Sequence, residues 1–492
     1  MSGIYRPLLI LTAGVLITGC QVGPDYRRPD SALINADKAR GSFVGADNVA
    51  LSQDPSPDAW WQLYDDPRLN EWVRQALSSN TDLRKAEANL ARSRASVREA
   101  RAARQPSVPV TAGVQYAQLA GEQYLQPITP PRDTYYDTEL TVAYDLDLFG
   151  GIRRGIEAAE ADDQAVEAAR DLVRVNVVAE TLRAYADACG AGQQLTAARK
   201  TLRIQTESLG LTQRLYQGGR ATSLDVTRIR QLVDQQTGTL PPLEAARKNA
   251  LFRLAILSGK PPADYYRELE TCDTVPRLLR PLPVGDGAEL LRRRPDVREA
   301  ERQLAAATAT IGVQTAALYP DIQIALPLGS TGAARDAYTS PTNFWGIGGL
   351  VHWQANQNAT RARIAQAQAF ARLRLATFDG VVLAALRDVE VALNNYTHDL
   401  AREDSSKLAV TDAERALKDA ERLQVGGRAT SLTVVDAQRA YATAEQTLAQ
   451  LEASISDDQI ATFLALGGGW NTTQEPIHAA RVANPNPARP DL

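Results

Sequence analysis

Gly218-Gly219-Arg220-Ala221-Thr222-Ser223-Leu224 recurs unchanged as Gly426-Gly427-Arg428-Ala429-Thr430-Ser431-Leu432, 208 positions on. Seven identical consecutive residues at that distance mark a tandem duplication, and self-similarity of this kind sets the architecture before any local reading. A second set of matches runs at an offset of 214. Asp82-Leu83-Arg84 falls on Asp296-Val297-Arg298, Ala86-Glu87 on Ala300-Glu301, Leu90-Ala91 on Leu304-Ala305 and Pro106 on Pro320. At roughly 150 residues per domain the chain's length would suggest about three domains. The repeats instead divide its 492 residues into two similar halves, 20–272 and 273–470, preceded by 1–19 and followed by 471–492.

The repeated heptapeptide punctuates four long helical stretches. Residues 151–215 and 357–423 precede the two copies, and 223–258 and 431–466 follow them; the two preceding stretches hold no Pro and few Gly in an Ala-, Arg-, Glu- and Gln-rich sequence. At ~1.5 Å per residue the longer pair would run on the order of 95 Å, more than a globular core uses. Leu195, Leu202, Leu209 and Tyr216 fall at heptad spacing. Val434, Ala437, Tyr441, Ala444, Leu448, Leu451 and Ile455 alternate steps of three and four, which is a coiled-coil seam. The glycines suit the left-handed residue that ends a helix, and Ser223 or Ser431 is placed to cap the next. Leu240-Pro241-Pro242-Leu243 predicts a kink or break near Gly238 to Pro242, because proline removes a backbone donor.

Ahead of the long helices, each half carries helical candidates, Trp60 to Ser79 and Leu83 to Arg104 in the first, and then two alternating runs. Strands are predicted over 107–118, 134–148, 321–330 and 343–353. Val108, Val110, Ala112, Val114 and Tyr116 share one face of the first, and Tyr136, Thr138, Leu140, Val142, Tyr144 and Leu146 one face of the second. Each run covers about 9–11 residues, the length of a tilted transmembrane strand. No window holds the 18 apolar residues of a spanning helix, so any membrane crossing must be made by strands. Four strands cannot close a barrel, and an open edge in lipid leaves backbone groups unpaired at several kcal/mol each. The membrane reading therefore requires several protomers to share one barrel.

Residues 1–19 read as a signal segment: Arg6 precedes the apolar core Leu8 to Ile17. Ile17-Thr18-Gly19-Cys20 resembles the lipobox of bacterial lipoproteins, which implies acylation of Cys20. Several acyl chains would give lasting attachment, and Gln21 in place of Asp implies the outer membrane. A net charge of −4 argues against a nucleic-acid partner. Three His, three Cys and one Met leave no expected metal site, and no cofactor is expected beyond the covalent lipid on Cys20. His352, His398 and His478 have no ligand spacing, and Gly259-Lys260 is followed by Pro261 rather than the Ser or Thr of a phosphate-binding loop. The chain is not expected to be an enzyme. Cys189 and Cys272 remain after Cys20. Cys189 lies ~29 residues up its helix from the turn, roughly 44 Å at helical rise, and Cys272 follows the returning helix. A disulfide between them is expected, the alternative being two unrelated buried thiols. The tail 471–492, rich in Pro and Asn, is expected to be disordered.

Several segments together resemble the TolC-like outer-membrane factors, in particular the lipoprotein branch of drug-efflux channels often labelled NodT. These are Val22-Gly23-Pro24-Asp25-Tyr26, Trp60-Trp61-Gln62-Leu63-Tyr64, Asp145-Leu146-Asp147-Leu148-Phe149-Gly150, Arg293-Arg294-Pro295-Asp296-Val297 and Val435-Asp436-Ala437-Gln438. The resemblance implies an α+β membrane protein: a homotrimer sharing a twelve-stranded outer-membrane barrel, a long periplasmic coiled-coil tunnel and a mixed equatorial belt. It implies a passive exit duct for drugs or other small toxic compounds in a Gram-negative outer membrane. Its partners would be a periplasmic adaptor and an inner-membrane pump, usually driven by the proton gradient (RND type). The turns Gly218, Gly219, Arg220 and Gly426, Gly427, Arg428 would dock the adaptor, and Leu432 and Asp436 would form the gate. In the first half Leu224 is retained, but Arg228 stands where Asp436 stands in the second. The aromatic–basic pair that the family often has before the last turn is absent from Arg422-Leu423-Gln424-Val425. Export of proteins by a type I secretion system, or a non-conducting periplasmic scaffold, are the competing readings.

Overall fold

The computed structural model describes residues 21–120, 127–278 and 280–468. The signal segment, Cys20 and the tail 471–492 lie outside the described residues. The first half contains α1 (Pro67–Ser79), α2 (Thr81–Ala102), β1 (Val110–Ala117), β2 (Asp133–Asp145), α3 (Gly151–Gln217) and α4 (Ser223–Leu257). The second contains α5 (Gly287–Arg293), α6 (Pro295–Ala316), β3 (Asp321–Ala333), β4 (Asn343–Trp345), β5 (Gly348–His352), α7 (Asn358–Val425) and α8 (Ser431–Ala465).

Two compact units do not follow the duplication. One comprises 1–32, 89–167 and 299–379; the other comprises 33–88, 168–298 and 380–492. Each draws on both halves, the first because the duplicated hairpins pair with each other and the second through a shared apolar core. In the first unit the antiparallel sheet runs β1-β2-β3, with β4 and β5 both on the far edge of β3. The β2–β3 register joins the halves, from Tyr135 opposite Ala333 to Asp145 opposite Gln323. The single strand expected over 343–353 is two pieces. Leu328 pairs with Trp345 and Ala325 with Gly348, so Pro327 falls opposite the break. Proline has no N–H to give a neighbouring strand; its carbonyl still accepts from Gly346 N at 2.9 Å. The strands carry exposed apolar side chains, among them Val110, Val114, Tyr116, Trp345 and Leu350. Among the described residues no helix is long and apolar enough to cross a membrane.

The second unit holds the main apolar core. Trp60 stacks on Phe463 at 4.6 Å and Trp72 packs on Tyr266 at 3.8 Å, among Leu182, Leu251 and Ile455. The helix expected over Trp60 to Ser79 is interrupted. Asp65 takes the left-handed conformation (φ 51°), and Asp66 then caps α1 by accepting from Arg68 N at 2.9 Å, with Pro67 starting the helix. The two halves build the same corner with different side chains. Asn80 Nδ2 donates to Leu257 O at 3.0 Å at the end of α4, and Arg294 Nη1 donates to Ala465 O at 2.9 Å at the end of α8.

Helix α4 is continuous through Pro241 and Pro242, which corrects the break expected there. The prolines free the carbonyls of Thr237 and Gly238, and both residues are exposed, so water can satisfy them. Side chains reinforce the turn before: Thr239 Oγ1 donates to Gln236 O at 2.7 Å, and Gln236 Nε2 reaches Ala198 O on α3 at 3.2 Å. Cys189 on α3 and Cys272 are joined by a disulfide with their Cα atoms 4.8 Å apart. The segment after α4 presses on α3 so closely there that a Cβ on Gly192 would stand 1.9 Å from Cys272 O.

Candidate functional site

Both long-helix hairpins close in the same way. At the first tip Gly219 has φ +70°, Gly219 N donates to Tyr216 O at 3.0 Å and Arg220 N to Leu215 O at 2.8 Å. At the second Gly427 has φ +72°, with Gly427 N to Gln424 O at 2.9 Å and Arg428 N to Leu423 O at 2.8 Å. This paired bonding satisfies the last carbonyls of a helix through a left-handed residue that glycine adopts without strain. The return helices are capped by Thr222 and Thr430, not by Ser223 or Ser431. Each threonine is extended (φ −99°, ψ 161° and φ −84°, ψ 161°), which aims its hydroxyl at an amide three residues on. Each serine is already the first helical residue. Thr222 Oγ1 accepts from Asp225 N at 3.2 Å while Asp225 accepts from Thr222 N at 2.9 Å, a reciprocal capping box. Thr430 Oγ1 accepts from Thr433 N at 3.4 Å without that return bond.

Gly218, Gly219, Arg220, Gly426, Gly427 and Arg428 are all exposed. The tips stand beside each other, joined by an apolar cluster of Ile229 and Leu232 from α4 and Val435 from α8, with Leu209 of α3 against it. Val435 is buried in this cluster and Val434 is buried beside it in sequence, whereas the opposite face of α8 presents Leu432, 43% exposed, and the Asp436 carboxylate, 62% exposed. Four residues apart, these two side chains share one helix face. Arg439, one turn on, lies 3.9 Å from Asp436. On α4 the corresponding face carries exposed Leu224 and half-buried Arg228.

Above the second tip, a link between the halves has no counterpart in the sequence reading. Lys200 Nζ of α3 donates to Glu445 Oε1 of α8 at 2.8 Å and lies 5.3 Å over the Tyr441 ring, and Tyr441 Oη donates to the same carboxylate. The Glu445 bond holds the Lys200 ammonium well above its ordinary range, and burial pushes the Tyr441 phenol up to about 12. Lys200 and Tyr441 border a groove of about 490 Å³ between α3 and α7, in which burial beside Glu207 raises the Glu421 carboxyl. Tyr441 registers in the sequence only as a seam residue; Lys200, which lies over its ring and binds the carboxylate its hydroxyl donates to, is on a helix more than 200 positions away. Cys189 and Cys272 belong to the core of the second unit, remote along the helices from these tips.

The matched pairs of strands, long helices and capped tips correspond to a known family. Residues 72–260 and 288–468 match the model of the outer membrane efflux protein family, three quarters of the chain. The chain belongs to the outer membrane efflux protein family. It is 28% identical to Nodulation protein T of Rhizobium leguminosarum bv. trifolii, over 93% of this chain and 96% of the relative. It is 30% identical to the pyoverdine export outer membrane protein OpmQ of Pseudomonas putida, over 84% and 88%. The solved structure of the outer-membrane channel OprN superposes with a TM-score of 0.85 at 34% identity, covering 92% of this chain and 100% of that one. The fold is that of the TolC-like outer-membrane channels, and the efflux protein is a transport duct of the Gram-negative outer membrane rather than an enzyme.

Proposed function

We propose that three copies of this efflux protein form one passive exit duct, anchored through lipid on Cys20, with twelve strands closing a single barrel. A periplasmic adaptor would dock on Gly218-Gly219-Arg220 and Gly426-Gly427-Arg428, and an inner-membrane pump of the proton-driven type would supply the energy. The observation that carries the gate assignment is the face of α8. Leu432 and Asp436 are exposed together beside a tip whose other face is buried against α4. Threefold repetition would bring three carboxylates around one axis, where they repel one another and attract cations, as acidic rings do in pores. Small organic cargo is supported by relatives named for pyoverdine export and for toluene efflux in Pseudomonas putida.

Purified protein in a planar bilayer tests this reading. Asp436→Ala should raise single-channel conductance and weaken block by divalent cations, and Leu432→Ser should add to the opening. Unchanged conductance and block in Asp436→Ala would remove Asp436 from the gate. No conductance in wild-type protein under any condition that opens related ducts would favour the scaffold reading instead.

A further inference from the structure

The Arg154 side chain is only 2% exposed, and all its partners but Glu157 lie more than 125 positions earlier in the sequence. It stands in the first turn of α3, just after β2. Its Nε donates to Val22 O at 3.1 Å, its Nη2 to Gly23 O at 3.0 Å and to Asp25 Oδ1 at 2.8 Å, and its Nη1 to Glu157 Oε2 at 2.7 Å. One guanidinium thus grips three consecutive features of the segment Val22-Gly23-Pro24-Asp25. The segment is seated from its other sides as well. Val22 N donates to Phe149 O at 3.2 Å, and Gly23, with φ +86°, lies so close to α6 that a Cβ would come within 2.4 Å of Gly312 Cα. A Cβ on Gly312 would in turn stand 2.7 Å from Arg154 Cγ, so two glycines make room for the crossing. Downstream, Tyr26 Oη donates to Glu301 at 3.2 Å and Arg28 forks onto the same carboxylate at 3.0 Å.

A buried guanidinium is costly to desolvate unless its donors are matched, and planar forks that meet carbonyls and carboxylates together fix orientation as well as energy. Such a fixed orientation has a use where a lipid anchor begins. Gln21 packs against Gly150, at the link between β2 and α3, and Cys20 is the residue before it in the sequence.

We infer that Arg154 is a positioning residue for the lipid anchor, holding the acylated Cys20 at the level where β2 leaves the sheet, so that acyl chains and strands enter the membrane in one register. This rests on the reading of Cys20 as acylated. A tether that could slide by several residues would let the acyl chains insert without drawing the strands to the same depth. The clamp removes that slack, and its expected consequence is assembly: acylated chains reach the membrane already aligned for barrel closure.

The test uses the full-length chain expressed in outer membranes, with mass spectrometry of the N-terminal peptide, hydrogen exchange of residues 21–28 and the fraction of trimer. Arg154→Met acts from the helix. Gly23→Ala acts from the segment and leaves α3 untouched. Both should leave Cys20 acylated and speed exchange over 21–28 roughly ten- to hundredfold, the factor expected from losing charge-assisted hydrogen bonds. Both should lower the trimer fraction, and Arg154→Lys should be intermediate. In a Cys20→Ser background, Arg154→Met should lower the trimer fraction no further, which a merely structural arginine would still do. An equal loss in both backgrounds, or unchanged exchange in both variants, overturns the inference. If wild-type Cys20 carries no lipid while 21–28 stays protected, the anchor reading has failed and this role falls with it, whereas exposed 21–28 on an acylated chain refutes the clamp alone.

Discussion

Asp457 and Asp458 are neighbours on α8, and both carboxyls are pushed up to about 6. Burial is the larger cause for each. Asp187 and Glu180 add repulsion at Asp457 against the pull of Arg183 and Arg253, while Asp399 and Asp457 act on Asp458. Glu403 is the opposite case. The Arg277 fork, helped by Lys407 at 2.7 Å, holds its carboxyl down to about 2. A carboxyl whose folded pKa exceeds its unfolded one binds its proton more tightly when folded. Its contribution is therefore fully present below about 3.8 and is lost as pH rises through about 6. Glu403 contributes above about 4.5 and loses its share as pH falls towards about 2. The thermal midpoint of the purified protein should consequently rise as pH is lowered from 7.5 to 5 and fall again below about 4. Asp457→Asn should flatten the upper limb and Glu403→Gln should remove part of the lower one. A midpoint that climbs steadily from pH 5 to 7.5 would contradict the assignment of the two aspartates.

Helix ends test the element level. Thr222 Oγ1 accepts from Asp225 N at 3.2 Å and donates to Asp225 Oδ2 at 2.7 Å, whereas Thr430 Oγ1 accepts from Thr433 N at 3.4 Å, so Thr222→Ala should cost about 1 kcal/mol and Thr430→Ala less. Amide exchange in the first turns of α4 and α8 reads the difference; an equal loss of protection in the two variants would deny the Thr222 hydroxyl its extra weight. Cys272→Ser releases a bridge closing 83 positions, a loss of roughly 4.5 kcal/mol on the chain-entropy view. Urea unfolding of oxidised and Cys272→Ser protein would measure it, and a midpoint unmoved by the substitution would show the bridge to be energetically idle. Elements of this kind were largely legible. Residues 151–215 contain little that stops a helix and end at Gly218-Gly219, and α3 spans Gly151–Gln217. Alternation located β2, expected over 134–148 and found at Asp133–Asp145. What was not legible depends on distant partners or on which of two adjacent residues is already helical. Thr222 and Ser223 both suit a cap, and backbone angles decide between them. Arg154 is one of several arginines in a helical run, and its burial comes from Val22 to Asp25, more than 125 positions away. The prolines of α4 break a rule that exposed carbonyls and the Gln236–Thr239 bonds make affordable.

At the scale of the molecule, the open sheet edge carries the strongest claim about assembly. Ser107 and Ala143 exchange both backbone bonds, at 2.8 and 2.9 Å, and Thr141 N reaches Pro109 O at 3.1 Å. In an antiparallel ladder bonded positions alternate. The amides of Thr111, Gly113 and Gln115 therefore face β2, and those of Val110, Ala112 and Val114 face away from it, where no strand of the described residues pairs with them. If a second protomer completes the barrel along this edge, the outward amides are its ladder. Ala112→Pro deletes one of them without removing a β1–β2 bond, and an edge strand tolerates proline within its own chain. The expected result is a chain that keeps its helical content and its Cys189–Cys272 bridge yet loses most of its trimer and all bilayer conductance. Gly113→Pro, one residue on, removes a β1–β2 donor instead and should damage the sheet of the isolated chain as well. Trimer retained in Ala112→Pro would mean that β1 is not the seam, and the twelve-stranded closure would have to be sought along another edge.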